Sequence, residues 1–367
     1  MRLNRRKTLG LMGGGLAMPW VRPSYAQSGS LYIYNWADYI GETTLEDFEN
    51  EFGIEPVYDT YSSSEEMQAK MLAGMTGYDV VFHAGMDMPR SIQAGIYQKL
   101  DKSKLTNWGN LDTEILAILA GWDPGNEYTV PYMWGSVGIT FNVDMVRERL
   151  PDADLADMSI ILDPENAAAL ADCGISILDS PTDVLLMTLP YLGIDGNTKD
   201  VADYEKVVEA FRPVREYIRT FDNTNYLNAI PNGELCVINN WSGDYGVAAG
   251  RAEEAGIEMN LAYYVPKTGA PAWFDVMALT SDSANVENAH TFMNYMLRPE
   301  VIAACTNYTW YANANAAADE FVDPSILNNP AVYPDAENTA RLYAPDPFTE
   351  EQDRAINRAW QAIKAGG

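Results

Sequence analysis

Apolar and polar segments alternate along the chain in lengths that are typical of strands and helices. Short apolar runs predict buried strands, and stretches with an apolar residue every three or four positions predict helices. In the first part of the chain the pattern predicts strands at 31–34, 54–60 and 79–82 and helices at 44–52 and 63–74. A threonine opens the first helix and glycines stop both. This order predicts an α/β fold with mostly parallel strands.

A second series of the same kind begins after Pro131. It predicts strands at 138–142 and 236–240 and helices at 143–150, 182–192, 201–221 and 244–255. Pro213 lies inside the longest of these helical stretches. Because proline lacks a backbone N–H and its ring clashes with the preceding turn, we expect it to kink that helix or divide it in two.

The length of 367 residues is sufficient for two domains, each with its own core. No fixed-period repeat and no low-complexity linker separates the two series. We therefore expect intertwined domains, with the chain crossing between them more than once. The predicted first domain comprises 27–135 plus 259–317, and the second comprises 136–258 plus 318–367.

The N-terminal residues differ in character from the rest. Basic residues at 5–7 precede an apolar run of small residues, and positions 24–26 have the small side chains that a signal peptidase reads. This predicts a signal peptide over 1–26 and a mature chain that begins at Gln27. The paired arginines resemble a twin-arginine export signal, with a general secretory signal as the alternative. Beyond the signal no apolar stretch approaches the roughly 20 residues of a membrane helix, so we expect a soluble mature protein.

The chain is strongly acidic. Its formal charge is -28, and the predicted signal contains five basic and no acidic residues, so the mature chain stands at about -33. This charge excludes nucleic acid as a partner. Two interpretations remain open: the carboxylates attract a cation to a cleft, or they form a surface adapted to salty surroundings.

Three cysteines are present. Cys173 and Cys236 each lie beside a predicted strand, and export permits a disulfide. We predict that these two pair and that Cys305 stays a buried free thiol. The alternative is three reduced, buried cysteines.

Candidate chemistry comes from three short segments in which an aromatic ring accompanies a carboxylate. They are Trp36-Ala-Asp38-Tyr39, Trp241-Ser-Gly-Asp244 and Trp273-Phe-Asp275. Carboxylates neutralise the ammonium ends of a flexible organic dication, and ring faces cover its methylenes and attract its charge. The segments lie near predicted strand ends but far apart in sequence. Only a cleft between two domains would bring them together, and such a cleft would close by hinge motion.

The sequence contains few of the residue patterns that mark catalytic sites. The chain has two histidines, and it shows neither a nucleophile elbow nor a cofactor motif. We interpret His290 as a surface or cap residue on a helix. His83, at a strand end, has either a structural role or a place in the pocket. An exported enzyme that acts on an amine through cleft carboxylates is the alternative from another functional class.

Several motifs, in this order, resemble those of the periplasmic polyamine-binding proteins of ABC importers, especially the putrescine-binding type. The motifs are LYIYNWADYI at 31–40, VPYMW at 130–134, WSGD at 241–244, FDV at 274–276 and YANAN at 311–315. The resemblance extends over the whole predicted mature chain. It implies a two-domain periplasmic-binding-protein fold of the Venus-flytrap type. It also implies a monomeric periplasmic receptor without a cofactor, which delivers its ligand to an inner-membrane permease.

The resemblance also implies a set of ligand-binding positions. These are Trp36, Asp38, Tyr39, Asp183, Trp241, Asp244, Trp273, Asp275 and Tyr311. Asp183 is one methylene shorter than the glutamate usual at its position. The family's cystine aligns with Cys173 and Cys236, in agreement with the pairing predicted above.

The chain departs from the family pattern beside the pocket. Ala37 replaces a common hydroxyl residue, and His83-Ala84-Gly85-Met86 replaces a serine-containing segment. Because these changes remove hydrogen-bonding groups, the ligand class is better defined than the ligand itself. Asp87 follows directly and could supply a carboxylate, or it could cap a helix.

A second kind of receptor is an alternative. A ferric receptor of similar architecture would use hard oxygen ligands, and Tyr263 with Tyr264 would be the candidate pair. Successive side chains on a strand point to opposite faces, however, and an iron site would leave the aromatic residues without a role.

Overall fold

The protein is described here from a computed structural model that covers residues 29–366. The predicted signal peptide and the predicted start at Gln27 lie outside the described residues.

The described chain contains eleven strands. They are β1 (Gly29–Trp36), β2 (Ile54–Tyr61), β3 (Val80–Ala84), β4 (Thr129–Asn142), β5 (Ile175–Ile177), β6 (Ile218–Phe221), β7 (Val237–Trp241), β8 (Leu261–Tyr264), β9 (Ala270–Leu279), β10 (Ala312–Asn313) and β11 (Leu342–Tyr343).

Sixteen α-helices accompany these strands within residues 29–366. They are α1 (Thr44–Phe52), α2 (Ser64–Ala73), α3 (Met88–Gln93), α4 (Thr113–Leu119), α5 (Val143–Arg149), α6 (Ser159–Leu162), α7 (Pro164–Leu170), α8 (Pro181–Tyr191), α9 (Asp203–Phe211), α10 (Tyr226–Ala229), α11 (Ser242–Glu254), α12 (Val286–Met296), α13 (Pro299–Thr309), α14 (Pro324–Leu327), α15 (Ala336–Thr339) and α16 (Glu350–Ala365).

The sheet is mixed, which corrects the expectation of mostly parallel strands. Its order is β2-β1-β3-β9-β4-β7-β5-β6, with β8 and β10 also paired to β4 and β11 paired to β9. Five of these pairings are parallel, and the five that involve β4 with its neighbours or β3 with β9 are antiparallel. Four of the parallel pairs lie at the two ends of the order, and the fifth is the short pairing of β11 with the central strand β9. The centre is antiparallel because β4 and β9 run in opposite directions between the two halves.

Two hydrophobic cores form on either side of this centre. Val130 and Met133, in the first half of β4, belong to one core, and Val137 and Phe141 in its second half belong to the other. The same strand pairs with β9 in its first half and with β7 and β8 in its second. One long strand thus contributes to both cores.

We propose that the lobes follow these cores. Such a division would depart from the predicted boundaries at two places. The Leu261 side chain packs on the second core. Val322 and Ile326 are buried in the first core, although their position in the sequence would assign them to the second domain.

Local signals locate the first two helices, whereas the stretch around Pro213 differs from its prediction. Gly53 ends α1 with a left-handed φ of 68°, which confirms the predicted stop, but the side chain of Thr43 makes no capping bond to α1. The Ser63 hydroxyl accepts the Glu66 N–H at the start of α2, where the sequence predicts that this helix begins. Residues 201–221 are not one helix, however. The helix ends at Phe211, just before Pro213, and Ile218–Phe221 form an edge strand on β5.

The predicted disulfide is confirmed. Cys173 and Cys236 are bonded, with their Cα atoms 5.5 Å apart, and they link the start of β5 to the start of β7. Cys305 is a buried free thiol. Its sulfur accepts a hydrogen bond from the Gly41 N–H at 3.3 Å.

Among residues 29–366, no helix has the length and the apolar content that crossing a membrane requires.

Candidate functional site

A cavity of about 440 Å³ lies between the two cores and is lined by elements from both. This volume falls in the range of about 300–1,000 Å³ that small-molecule pockets occupy. All nine predicted ligand-binding residues line it: Trp36, Asp38, Tyr39, Asp183, Trp241, Asp244, Trp273, Asp275 and Tyr311. Sequence positions more than 270 residues apart therefore share one cleft, which is the arrangement that the aromatic and acidic segments predicted.

The loop after β1 carries the first segment. Asn35 is buried and holds this loop, since its side chain accepts the Trp36 N–H at 2.8 Å and donates to the Tyr39 carbonyl at 3.1 Å. Asp38 has a φ of 53°, in the left-handed region that an aspartate adopts infrequently. The surrounding hydrogen bonds stabilise this conformation, which directs an exposed carboxylate toward the cleft.

Asp244 lies in the first turn of α11 and is 8% exposed. Its Oδ1 accepts the Tyr311 hydroxyl at 2.6 Å, and its Oδ2 accepts the Tyr226 hydroxyl. Burial raises the pKa of this carboxyl to about 6, although the two hydroxyl hydrogen bonds oppose the rise. The carboxylate is therefore ionised at neutral pH, but it is poorly solvated.

Asp183 and Trp241 are paired within the second lobe. The Trp241 indole N–H donates to Asp183 Oδ2 at 2.9 Å, and the Ser180 hydroxyl donates to the same oxygen at 2.8 Å. Burial raises the pKa of Asp183 despite these two bonds. No hydrogen bond from a described residue reaches Oδ1, so this oxygen can accept a bond from a ligand.

Asp275 lies within β9, opposite Ala84 of β3. The sequence analysis places the aromatic and acidic segments near strand ends, whereas Trp273 to Asp275 are interior residues of β9. Asp275 is 7% exposed, and burial raises its pKa well above the usual range. The neighbouring Tyr39 favours its ionised form, while the charges of Asp183 and Asp87 oppose it.

Three aromatic side chains form one wall of the cleft. The rings of Tyr39 and Trp273 both contact the ring of Tyr311 edge-on, with centroid separations of 5.3 and 5.1 Å. Glycines make room for this wall. A β-carbon on Gly135 would lie 2.5 Å from the Trp273 ring, and one on Gly243 would lie 2.6 Å from the Tyr311 ring. Both distances are far below van der Waals contact, so larger residues there would displace the wall.

Both histidines have structural roles. His83 is 1% exposed and bonds the Ala84 carbonyl and the Ser91 hydroxyl, outside the lining of the main cavity. His290 is 2% exposed, so the expectation of a surface residue is wrong. It is buried because its Nε2 accepts the Asp101 N–H at 2.9 Å and its Nδ1 bonds the Val286 carbonyl.

The structure adds residues that the sequence did not assign to the site. Tyr226 was missed because its contact with Asp244 crosses 18 positions, and no motif marks it. For Asp87 the sequence leaves two alternatives, a carboxylate for the ligand or a helix cap. It lines the cavity, and its side chain does not cap the helix that follows.

The lining is strongly acidic. Among the described residues that form it, Arg90 is the one basic side chain, and Arg90 is bonded to Asp353 at 3.1 Å. Asp179 is neutralised by Lys364. Six other carboxylates of the lining have no ion-pair partner among residues 29–366: Asp38, Glu65, Asp87, Asp183, Asp244 and Asp275. The cleft thus carries a net negative charge that a cationic ligand would neutralise.

The ferric alternative is not supported. Tyr263 and Tyr264 are adjacent residues of β8, and Tyr264 is 37% exposed. The Tyr263 hydroxyl is within hydrogen-bonding distance of the Ser136 hydroxyl, at 2.9 Å. Neither tyrosine lines the cavity. Within the described part of the chain, no group of three or more acidic, histidine or cysteine side chains is arranged to hold a metal ion.

The chain is similar to several known proteins. It is 40% identical over 366 residues to the putrescine-binding periplasmic protein PotF of Escherichia coli, covering 99% of each chain. It is 41% identical to the putrescine-binding periplasmic protein SpuD of Pseudomonas aeruginosa, covering 93% of each. The structure matches the spermidine/putrescine ABC transporter substrate-binding protein PotD of Streptococcus pneumoniae with a TM-score of 0.75 and 27% identity. That match covers 92% of this chain and 99% of PotD.

These similarities agree with the observed architecture. The structural relatives are periplasmic binding proteins with two lobes and a ligand cleft, as the fold class predicted. The family model of bacterial extracellular solute-binding proteins matches residues 43–334, which include elements of both cores. This chain belongs to the family of bacterial extracellular solute-binding proteins.

Proposed function

We propose that this protein is a periplasmic receptor that binds a linear polyamine in its cleft and delivers it to the permease of an ABC importer. The observation that carries the proposal is the set of six cleft carboxylates without a cationic partner beside a wall of aromatic rings. The names of the relatives, which describe putrescine and spermidine binding, support the same ligand class.

Electrostatics favours a cation with separated charges. Burial raises the pKa values of Asp183, Asp244 and Asp275, which means that the ionised forms are poorly solvated in the absence of a partner. An ammonium group supplies that partner and donates up to three hydrogen bonds. A ligand with one charge would satisfy one region of the cleft and leave the other unpaired.

The carboxylates suggest two ends for the ligand. Asp244 is influenced by the charge of Asp38, and Asp275 is influenced by that of Asp183. We assign one ammonium group to the Asp244 and Asp38 end and the other to the Asp183 and Asp275 end. The free Oδ1 of Asp183 is suited to accept such a bond.

The rings cover the chain that joins the two charges. Tyr39, Trp273 and Tyr311 form the wall on one side, and Trp36 and Trp241 also line the cavity. Methylenes gain from leaving water, and an ammonium over a ring face gains roughly 0.5–2 kcal/mol. In this proposal the protein binds its ligand without chemical change, as a monomer.

Thermal unfolding tests the proposal. Mature protein is unfolded, freed of ligand by dialysis, refolded and heated with and without millimolar putrescine at fixed salt. A ligand present at about a thousand times its dissociation constant stabilises the native state by about 4 kcal/mol, which raises the midpoint by several degrees. Glutamate and GABA, which carry a carboxylate, are the controls. Failure of putrescine, cadaverine, agmatine and spermidine to raise the midpoint would reject the proposal.

A further inference from the structure

Asp87 occupies a place in the cleft that two ammonium sites do not use. It ends the short turn after β3, two residues beyond Gly85, which packs against the β9 backbone. A β-carbon on Gly85 would lie 2.8 Å from the Phe274 carbonyl oxygen, so the turn lies directly beside the segment that carries Asp275. The charge of Asp87 also acts on Asp275, which agrees with their proximity.

Other charged groups of the cavity lining also surround Asp87. Asp353, on α16, and Glu65, on α2, both line the cavity and both act electrostatically on Asp87. The charge of Arg90 acts on Asp87 in the opposite sense, and Arg90 is bonded to Asp353. This ion pair joins α3 of the first lobe to α16 of the second. Asp87 thus interacts both with Asp275 and with the ion pair that connects the lobes.

Folding gives Asp87 little compensation for its position. Its side chain makes no capping bond to α3. Burial, followed by the charges of Asp353 and Glu65, raises its pKa to about 7, although the charge of Arg90 and a hydrogen bond with Gln68 oppose the rise. A carboxylate that is only partly compensated in this way destabilises the ligand-free protein at neutral pH, which is the behaviour expected of a residue kept for binding.

A buried neighbour adds an independent observation. Tyr97 is 3% exposed, and its hydroxyl has no hydrogen-bond partner among the described residues. Burial is the main cause of the raised pKa of Tyr97, and the negative charge of Asp87 raises it further. The Tyr97 hydroxyl and the Asp87 carboxylate therefore interact electrostatically. Within the described part of the chain, the surroundings of Asp87 therefore contain a buried hydroxyl without a hydrogen-bond partner, that of Tyr97, in addition to the carboxylate of Asp87, which has no ion-pair partner.

We propose that Asp87 forms a third cation subsite, which binds the outer ammonium group of a linear triamine and makes the cleft prefer triamines to diamines. This inference rests on the proposed function. A diamine held between the Asp244 end and the Asp275 end leaves Asp87 unpaired. A triamine extends past Asp275 to Asp87 and neutralises the Asp87 carboxylate. Asp87 is then a determinant of specificity, and its contribution is seen only with the longer ligand.

Isothermal titration calorimetry with putrescine and spermidine tests this subsite. Wild-type protein, Asp87→Asn and Glu351→Gln are compared at constant ionic strength and at pH 8, where Asp87 is ionised. We expect Asp87→Asn to weaken spermidine binding at least tenfold and putrescine binding less than threefold. Glu351→Gln removes one negative charge from α16, outside the cavity lining. Because Glu351 is exposed and screened by solvent, we expect its replacement to change either affinity less than threefold.

The remaining outcomes separate the two proposals. If wild-type protein binds both amines and Asp87→Asn leaves the ratio of the two affinities unchanged, the third subsite is rejected and the amine receptor stands. An equally large loss of spermidine binding in Glu351→Gln would also reject it, because the acidic surface would then act as a diffuse field. If wild-type protein binds neither amine, the proposed function itself fails. Asp87→Asn removes a poorly solvated charge, so we expect it to fold, and its unfolding midpoint is measured alongside.

Discussion

Replacement of Asp244 by asparagine isolates the charge of one carboxylate in the cleft. Asp244 is 8% exposed, and both of its oxygens accept hydroxyl groups, from Tyr311 and Tyr226. Asparagine has nearly the same volume and keeps one acceptor oxygen. Its amide nitrogen can donate to the other hydroxyl, which also has acceptor lone pairs. The shape of the cleft should therefore survive, while the negative charge is lost.

The size of the effect follows from the hydrogen bond that an ammonium group would lose. Hydrogen bonds to charged groups contribute about 1.5–3 kcal/mol. Because the cleft is partly dry, we expect the bond between Asp244 and an ammonium group to contribute within that range. A loss of about 2 kcal/mol corresponds to a roughly 30-fold increase in the dissociation constant. At pH 7.5 the carboxyl is ionised, because its pKa is about 6. We expect stability to stay equal or to rise, since a buried charge is removed.

Calorimetric titration of ligand-free protein with putrescine at pH 7.5 measures this change. Asp152→Asn is the matched control, because Asp152 is an exposed aspartate outside the cavity lining. It removes one charge from the protein without touching the cleft, so it reports any general effect of net charge. A dissociation constant for Asp244→Asn within twofold of the control value would remove Asp244 from the binding site.

Three further outcomes are expected. Because burial raises the pKa of Asp244 to about 6 and an ammonium favours the ionised form, putrescine binding should release protons below neutral pH. Affinity should fall by at least about fourfold between pH 7.5 and 5.5, because the pKa values of Asp183 and Asp275 are raised as well, and a titration insensitive to pH would contradict this. Replacing Trp273 by leucine should weaken putrescine binding by about 1 kcal/mol through loss of a ring face, measured on protein whose unfolding transition shows that it is folded. The double replacement of Cys173 and Cys236 by alanine opens a crosslink over 63 positions. It should lower the unfolding free energy by about 2–4 kcal/mol in denaturant titrations, with the affinity of folded protein unchanged.

Local sequence signals were sufficient for the first elements of the fold. Glycine at position 53 and serine at position 63 act within one turn of the chain, and both helices begin or end where these residues predict. Residues Ile218–Phe221 show the limit of such signals. Their apolar spacing is compatible with a helix, but pairing of Ile218 with Ile175, 43 positions away, makes them a strand. Strand direction could not be predicted either, because alternating apolar segments do not encode whether β4 and β9 run parallel or antiparallel to their neighbours.

The site could be predicted in composition but not in detail. Aromatic and acidic residues lie close together in sequence in the segments at Trp36, Trp241 and Trp273, and this pattern predicted a shared site. Residues of all three segments line one cavity. The hydrogen bond from Tyr226 to Asp244 had no sequence signal, because the partners lie on different helices. The burial of His290 also had no sequence signal, because its partner, the backbone N–H of Asp101, lies 189 positions away.

Equilibrium dialysis of radiolabelled putrescine against refolded, ligand-free mature protein tests the central claim most directly. We expect saturable binding of one molecule per chain, displaced by unlabelled spermidine and abolished by acid that protonates the cleft carboxylates. Binding that does not saturate, or that ordinary salt removes completely, would show only a diffuse attraction to the acidic surface. That result would contradict a polyamine site between the lobes.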